Sequence, residues 1–375
     1  MRRAWTRFAR NRGALAALLL LIAMTLACLV GPRLTGHEPG RIYPDLVRTA
    51  PGLAAHPEPD EIAPALTRLA FRMRLAVSDI AVTGDTVRMV FSGVSKPNDA
   101  KPNDAKSFDT KPIDERVLVY LPRSDLFGPA SIVERRDGGR RLVVEAPLRR
   151  LRFLMGTDML GRDVLTRSLV AGRVSLLIGA VATVVALLVG VAYGALAGYL
   201  GGVADAVMMR VVDMLYALPF VFFVIMLLVF FRSGLGLILV AIGAVEWLDM
   251  ARLVRAQTLS LRHRDFVRAA EALGLSTAAI LRRHIVPNTL GPVTVAATLL
   301  VPKVILLESF LSFLGLGVQE PATSWGALIA EGARALESAP WMLAGPAAFL
   351  VSTLVALNVL GDGLGDALDP RIAGR

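Results

Sequence analysis

Two charged residues interrupt a long apolar stretch in the last quarter of the sequence. Lys303 and Glu308 are the charged residues within positions 288–313. Charges in such a segment cannot face lipid cheaply, so they face protein or a water-filled path and are candidates for gating. Five residues apart on a helix, their side chains point about 140° from each other. A direct ion pair between them therefore requires a helix break at Pro302.

The sequence lacks the residue patterns of common catalytic and nucleotide-binding sites. Gly31 and Gly36 have the spacing of a Walker A loop, but His37 and Glu38 follow where Lys and Ser or Thr would contact phosphate. The metalloprotease pattern His-Glu-x-x-His is absent, and all four histidines lie outside the long apolar segments. We therefore predict a chain that is not an enzyme, has no metal site and binds no cofactor itself.

The composition indicates an integral membrane protein. Of 375 residues, 54% are apolar and 19% are charged, and the mean hydropathy is +0.57. Many of the arginines behind the net charge of +10 lie beside apolar segments, which favours topology-setting charge over nucleic-acid binding. The single cysteine, Cys28, excludes an intrachain disulfide. Membrane lipid is thus an expected partner and nucleic acid is not.

Six apolar segments are candidates for membrane-spanning helices, each of which needs roughly 20 residues. They are residues 13–31, 174–200, 214–231, 233–248, a segment from 288 past Glu308, and 340–360. Pro219 should kink the third, and Glu246 lies near the end of the short fourth. The predicted fold is an all-α polytopic membrane protein with six transmembrane helices.

Arginine placement predicts the orientation, because short loops rich in Lys and Arg stay in the cytoplasm. The N-terminal tail has five arginines by residue 12, and the loop 249–287 has seven. Both should be cytoplasmic, with the C-terminus on the same side. The polar segment 32–152 would then be external.

The external segment has features of a small β-rich insert between the first and second helices. Strand-like runs occur at 69–77, 86–92, 116–121 and 142–145. A direct repeat of Lys-Pro-Asn-Asp-Ala at 96–105 predicts a flexible surface loop near 96–112. The predicted division is a tail with the first helix (1–31), this insert (32–152), an amphipathic interfacial segment (153–173) and a five-helix core (174–375).

Local signals predict two short helices within the loop 249–287. Asp265 can cap a helix over 266–273, Gly274 suits a left-handed exit, and Ser276 can cap a second helix ending before Pro287. Two short helices with seven arginines also describe a DNA-binding helix-turn-helix. Confinement between two spans disfavours that alternative.

Small residues recur every four positions along the second predicted span. This stripe includes Gly190, Gly194 and Gly198 and permits close approach of another helix backbone. We favour packing inside one subunit over sliding at an interface between subunits.

The sequence contains an ordered set of motifs: GTDMLGRD at 156–163, GYLGG at 198–202, Asp213 with LP at 218–219, RAAEALG at 268–274, IVPN at 285–288, ESFLSFLGLG at 308–317, SWG at 324–326 and NVLGDGLGDALDPR at 358–371. This set resembles the second permease subunit of ATP-binding-cassette (ABC) importers of the dipeptide, oligopeptide and nickel branch. The resemblance covers most of the chain outside the insert, which is longer than usual for this subunit.

The resemblance implies a type I ABC importer permease fold and a set of partners. These are a paralogous permease, one or two ABC ATPases that carry the ATP and Mg, and an external solute-binding protein. The resemblance also implies that a helix of the loop 249–287 is seated in a cleft of the ATPase and that the residues around this helix couple the two proteins. They are Asp265, Arg268, Ala269, Ala270, Glu271, Gly274 and Pro287. Arg268 stands where the general motif has Glu, and Glu271 need not replace that contact.

The expected function is import of peptides or a related small solute across the bacterial inner membrane. Dipeptide, longer peptide, glutathione-like compound and chelated nickel all remain open as substrates. The alternative is a secondary transporter or channel-like protein that uses Lys303 and Glu308 without ATP. Inverted repeats would favour that alternative, and none is evident in the sequence.

Overall fold

The chain forms two compact units in the computed structural model, which describes residues 7–93, 113–231 and 234–368. The transmembrane unit comprises Met1–Pro39 and Thr166–Arg375, and the sheet unit comprises Gly40–Leu165. The flexible loop predicted near 96–112, with its repeat, lies outside the described residues.

We label twelve helices and four strands within the described residues. The helices are α1 Arg12–Leu34, α2 Pro59–Arg72, α3 Arg116–Tyr120, α4 Val164–Leu200, α5 Gly202–Tyr216, α6 Phe220–Phe230, α7 Leu235–Leu261, α8 Asp265–Ala272, α9 Thr277–Ile280, α10 Val286–Phe313, α11 Trp325–Arg334 and α12 Trp341–Leu368. The strands are β1 Leu75–Thr83, β2 Thr86–Gly93, β3 Ser131–Arg136 and β4 Arg141–Pro147. A π-helical turn, Leu281–Ile285, joins α9 to α10.

The sheet unit is built around an antiparallel sheet with strand order β1-β2-β4-β3. The central strands pair Phe91 with Leu142 and Met89 with Val144, and all four side chains are buried. They belong to the same apolar core as the buried face of α2. A small sheet therefore lies in the chain segment where the insert was predicted.

Two of the four predicted strands are wrong in whole or in part. Residues 69–72 end α2, whose buried Ile62, Leu66 and Leu69 recur at the spacing of one helix face. Residues 116–120 form α3, because Val117 and Leu121 are buried four positions apart rather than in alternation. The strands predicted at 86–92 and 142–145 lie inside β2 and β4.

Within the described residues, four helices are long and apolar enough to cross a membrane, or five if one bent pair is counted as a span. The four are α1, α4, α10 with the preceding turns, and α12. The chain is thus mostly helical, with four or five apolar spans. The prediction of six transmembrane helices is not confirmed.

The third predicted span, 214–231, is broken rather than kinked. The helices α5 and α6 meet at an angle of 79°, and Pro219 is the cap residue between them. Proline has no N–H for a helical hydrogen bond, and it disfavours helical geometry at Leu218 before it. The apolar run therefore contains two helices.

The amphipathic segment predicted at 153–173 is not a separate helix. Residues up to Asp163 form a loop, and the rest are the first turns of α4. The carboxylate of Asp158 accepts from the backbone N–H groups of Leu160 and Arg162 and pairs with the Arg162 Nε at 2.7 Å. Asp158 thus organises the loop before α4 and pairs with Arg162.

The glycine stripe of α4 packs against α7 within the transmembrane unit. A Cβ added to Gly194 would overlap the carbonyl oxygen of Ala251, and one added to Gly198 would lie 2.8 Å from that of Arg255. A Cβ on Gly190 would meet α7 in the same way. Because backbone atoms cannot move aside, these positions favour packing inside one subunit.

Replacing Gly194 with leucine should lower the free energy of unfolding by about 1–3 kcal/mol through overpacking against α7. The matched control is Gly291→Leu in α10, where an added Cβ meets nothing within 4 Å. Thermal unfolding of both purified variants in the same detergent tests the difference. Equal losses in the two variants would contradict the packing role.

Candidate functional site

A compact pair of short helices projects between two long helices of the transmembrane unit. We call residues 262–285 the short-helix loop; it comprises α8, α9 and the π-helical turn. The loop is shorter than the predicted 249–287, because α7 continues to Leu261. A local apolar core of Val267, Ala270, Ile280 and Ile285 holds its helices together.

The turn between α8 and α9 follows the predicted glycine geometry. Gly274 has a φ of +76°, a left-handed conformation that side-chain-bearing residues rarely adopt. The Ser276 hydroxyl oxygen accepts a hydrogen bond from the Ala279 N–H at 3.4 Å and caps α9. These two residues therefore set the angle at which the short helices meet.

One local prediction for the loop, the cap at Asp265, is wrong. Asp265 is the first residue of α8, whose cap is Arg264, so Asp265 acts on the helix dipole rather than as a cap. The second short helix, α9, ends at Ile280, before Pro287 as predicted, but the chain stays helical through the π-helical turn into α10. Pro287 lies in the first turn of α10 and supplies no N–H to the helical turn before it.

The residues predicted to couple to an ATPase divide into an outward and an inward set. Ala270 is buried and supports α8 from beneath. The exposed members are Asp265, Arg268, Ala269, Glu271, Gly274 and Pro287. Leu273, which is not among the predicted coupling residues, is 79% exposed at the end of α8. A single exposed leucine is common on protein surfaces, so Leu273 does not by itself mark a docking surface.

Glu271 ties α8 to the end of α4. Its Oε1 atom accepts a hydrogen bond from the Tyr199 hydroxyl at 2.9 Å. Movement of the short-helix loop can therefore be transmitted to α4. One carboxylate oxygen of Glu271 is therefore already hydrogen-bonded within the permease chain, which bears on whether Glu271 can replace the glutamate of the general motif.

Lys303 and Glu308 do not pair with each other, as expected from their spacing. Lys303 Nζ lies 2.8 Å from Asp249 Oδ2 and 2.9 Å from Glu246 Oε2, both on α7. Pro302 does not break α10, which runs continuously past both charged residues. The signal for Glu246 was present in the sequence, because a carboxylate in a predicted span needs a partner.

Glu308 is fully buried and satisfied by hydroxyl groups. The Ser312 hydroxyl donates to its Oε1 at 2.7 Å, and the Ser175 hydroxyl lies 3.4 Å from Oε2. Ser324, the cap of α11, lies 3.2 Å from the Ser312 hydroxyl, and the Trp325 N–H donates to Ser175. These contacts join α4, α10 and α11 and favour a structural role for Glu308 over gating.

Comparison with known proteins decides the family. Residues 190–374 match the family described as binding-protein-dependent transport system inner membrane component. Residues 1–51 match the N-terminal transmembrane domain of oligopeptide transport permease C. The oligopeptide transport system permease protein OppC of Haemophilus influenzae is 46% identical over 255 residues, which are 68% of this chain and 81% of that protein. The chain belongs to this permease family.

A second relative and a solved structure extend the comparison. The oligopeptide transport system permease protein OppC of Salmonella typhimurium is 59% identical to this permease over 216 residues, which are 58% of this chain and 72% of that protein. An inward-facing structure of the MetNI methionine ABC transporter aligns with 55% of this chain and 96% of its own chain. Its TM-score is 0.43 and its identity 16%.

Family membership confirms the resemblance to the second permease subunit and answers the main functional question. The permease is a subunit of an ABC transporter and is not an enzyme. A partner permease and partner ATPase subunits follow from that membership. The ATP-driven importer is therefore favoured over a secondary transporter that uses Lys303 and Glu308. The coupling roles of individual residues in the short-helix loop stay predictions.

Proposed function

We propose that the chain is one half of the transmembrane pathway of a peptide importer in the bacterial cytoplasmic membrane. A paralogous permease supplies the other half, and one or two ABC ATPases bind ATP and Mg. The relatives are named for oligopeptide transport, which supports peptides as the substrate class. An external solute-binding protein would deliver the peptide, as the family description suggests.

The shape of the short-helix loop is the observation that carries this proposal. Buried Val267 and Ala270 anchor α8, while Arg268, Ala269 and Leu273 face outward. Such a surface can enter a cleft on an ATPase without refolding. The Glu271 contact to Tyr199 then connects the docked helix to α4.

The proposed topology has six crossings in the type I arrangement, with both termini in the cytoplasm. The bent pair of α5 and α6 would count as one crossing. The charged helix α7 would be the additional crossing that brings the total to six. It would be shielded from lipid by protein or water because it carries Glu246 and Asp249. The sheet unit, which contains most of the enlarged insert, would then lie outside, where it could contact the binding protein.

Replacing Gly274 with valine tests the docking role. A β-branched residue in the left-handed conformation costs about 1–2 kcal/mol, so the turn should open and the tip of α8 should shift. We expect peptide-stimulated ATP hydrolysis by the complete reconstituted transporter to fall about tenfold. Co-purification of the ATPase with the tagged permease should weaken in parallel.

Gly274→Asn is the matched control, because asparagine tolerates the left-handed conformation. It should retain substantially more ATP hydrolysis than Gly274→Val. Recovery of an intact permease pair that associates with no ATPase, in the wild type, would refute the proposed function. Full activity of Gly274→Val would refute the role of the short-helix loop.

A further inference from the structure

A charged cavity lies between α7 and α10 in the transmembrane unit. Its volume is about 320 Å³. The lining residues are Glu246, Asp249, Met250, Leu253, Ala296, Leu299, Leu300 and Lys303. Glu246 and Lys303 lie near the middle of their helices, far from either end.

Three charged side chains meet in this cavity, and we call them the charge triad. Glu246 and Asp249 are three positions apart on α7, so they share one face of that helix. Lys303 reaches both carboxylates across the cavity, at 2.9 Å and 2.8 Å. Two carboxylates and one ammonium group carry a formal charge of −1, so the triad has a surplus of negative charge.

Burial differs within the triad in a way that points to a ligand. The side chain of Glu246 is 3% exposed, whereas those of Asp249 and Lys303 are about half exposed. Among the described residues, Lys303 Nζ is the one donor group in reach of the Glu246 Oε2 atom, and it is shared with Asp249. A buried carboxylate oxygen that shares its donor is incompletely stabilised, and a second donor would stabilise it.

A purely structural ion pair would need one carboxylate for one lysine. The additional carboxylate at this depth adds an unfavourable charge, and lipid contact would make it more costly. The cavity that holds the carboxylates is also lined by the apolar residues Met250, Leu253 and Leu299. A primary ammonium group next to a short apolar body fits both surfaces. Lys303 itself shows that the two carboxylates accept an ammonium group.

We propose that the charge triad is a transit site for the N-terminal ammonium group of a peptide. The inference rests on the proposed function, because it assumes that peptides cross the transmembrane unit. The incoming ammonium donates hydrogen bonds to Glu246 and Asp249, and Lys303 moves aside within the cavity. Lys303 returns when the peptide leaves, so the carboxylates keep a cationic partner throughout.

The first test measures uptake of radiolabelled trialanine by proteoliposomes that contain the complete transporter, with saturating binding protein outside and ATP inside. Asp249→Asn removes the surplus charge, and uptake should fall about tenfold because a charge-assisted hydrogen bond is lost. Asp213→Asn is the matched control, since Asp213 forms an equally short ion pair, 2.8 Å long, with Arg252 elsewhere in the unit. Its uptake should stay within about twofold.

A second measurement reads the charge preference directly. Cys28, the one cysteine of the chain, is buried, so a Lys303→Cys variant offers one accessible thiol. The cationic reagent 2-aminoethyl methanethiosulfonate should modify it at least about tenfold faster than the anionic 2-sulfonatoethyl reagent. Trialanine present during turnover should slow the cationic reaction.

The outcomes separate the transit site from the proposed function. Unchanged uptake in Asp249→Asn, or equal losses in Asp249→Asn and Asp213→Asn, would overturn the transit site. Faster modification by the anionic reagent would overturn it as well, even if the uptake variants failed to assemble. A wild-type complex that hydrolyses ATP yet takes up no trialanine would instead refute peptide import.

Discussion

Replacing Glu331 with leucine is expected to lower the free energy of unfolding by about 3 kcal/mol, because it removes the bidentate partner of a buried guanidinium group. Arg167 on α4 is 4% exposed. Its two terminal nitrogens lie 2.7 Å and 3.1 Å from the carboxylate oxygens of Glu331 on α11. Glu320 lies farther away, at 3.7 Å, and is mostly exposed.

The double variant Arg167→Met with Glu331→Leu is the informative comparison. Removing both charges eliminates the desolvated cation and leaves an apolar contact of similar volume. The double variant should therefore unfold at a higher temperature than Glu331→Leu alone. Thermal unfolding in detergent, followed by helical circular dichroism, measures this order. A double variant less stable than the single one would show that the pair acts through other contacts of Arg167.

Apolar length predicted most of the transmembrane helices but not their ends. The segment 174–200 was predicted as the second span, whereas α4 begins ten residues earlier, at Val164. Its polar first turns contain Arg167 and Ser168, which bind protein groups rather than lipid. A pattern based on transfer into lipid cannot register such turns, because their partners lie more than 150 residues away.

Residue order alone was less informative in the sheet unit. The run 69–77 has the residue types of a strand, but its first half continues the buried face that begins at Ile62. The helix prevails because Pro59 is in its first turn and Glu58 and Glu61 form a capping box. Helix start signals ten residues upstream thus outweigh local strand preference.

The candidate sites show the same division between local and distant information. Gly274 and Ser276 were predicted correctly in conformation, because a left-handed turn and a cap depend on adjacent residues. The sequence shows that Glu246 and Lys303 each need a partner, but their pairing could not be predicted, since Glu246 and Asp249 are more than 50 positions from Lys303. Only the packing of α7 against α10 brings those charges together.

A second prediction concerns a missing helical hydrogen bond in α1, which an arginine of α4 replaces. Pro32 lies inside α1 and has no N–H, so the carbonyl of Cys28 lacks its normal helical donor. Arg173 Nε donates to that carbonyl oxygen at 2.6 Å, and its Nη2 donates to the Leu29 carbonyl oxygen at 2.8 Å. Neither sequence segment alone indicates this arrangement.

Replacing Arg173 with methionine is expected to lower the free energy of unfolding by about 2 kcal/mol, because the Cys28 carbonyl loses its donor in an apolar environment. Adding Pro32→Ala should recover a large part of that loss, since alanine restores the helical N–H. Thermal unfolding of the single and double variants in lipid nanodiscs measures both effects. If Pro32→Ala changed the free energy of unfolding equally with and without Arg173, the two residues would be independent. The proposal that Arg173 replaces the missing helical donor would then be refuted.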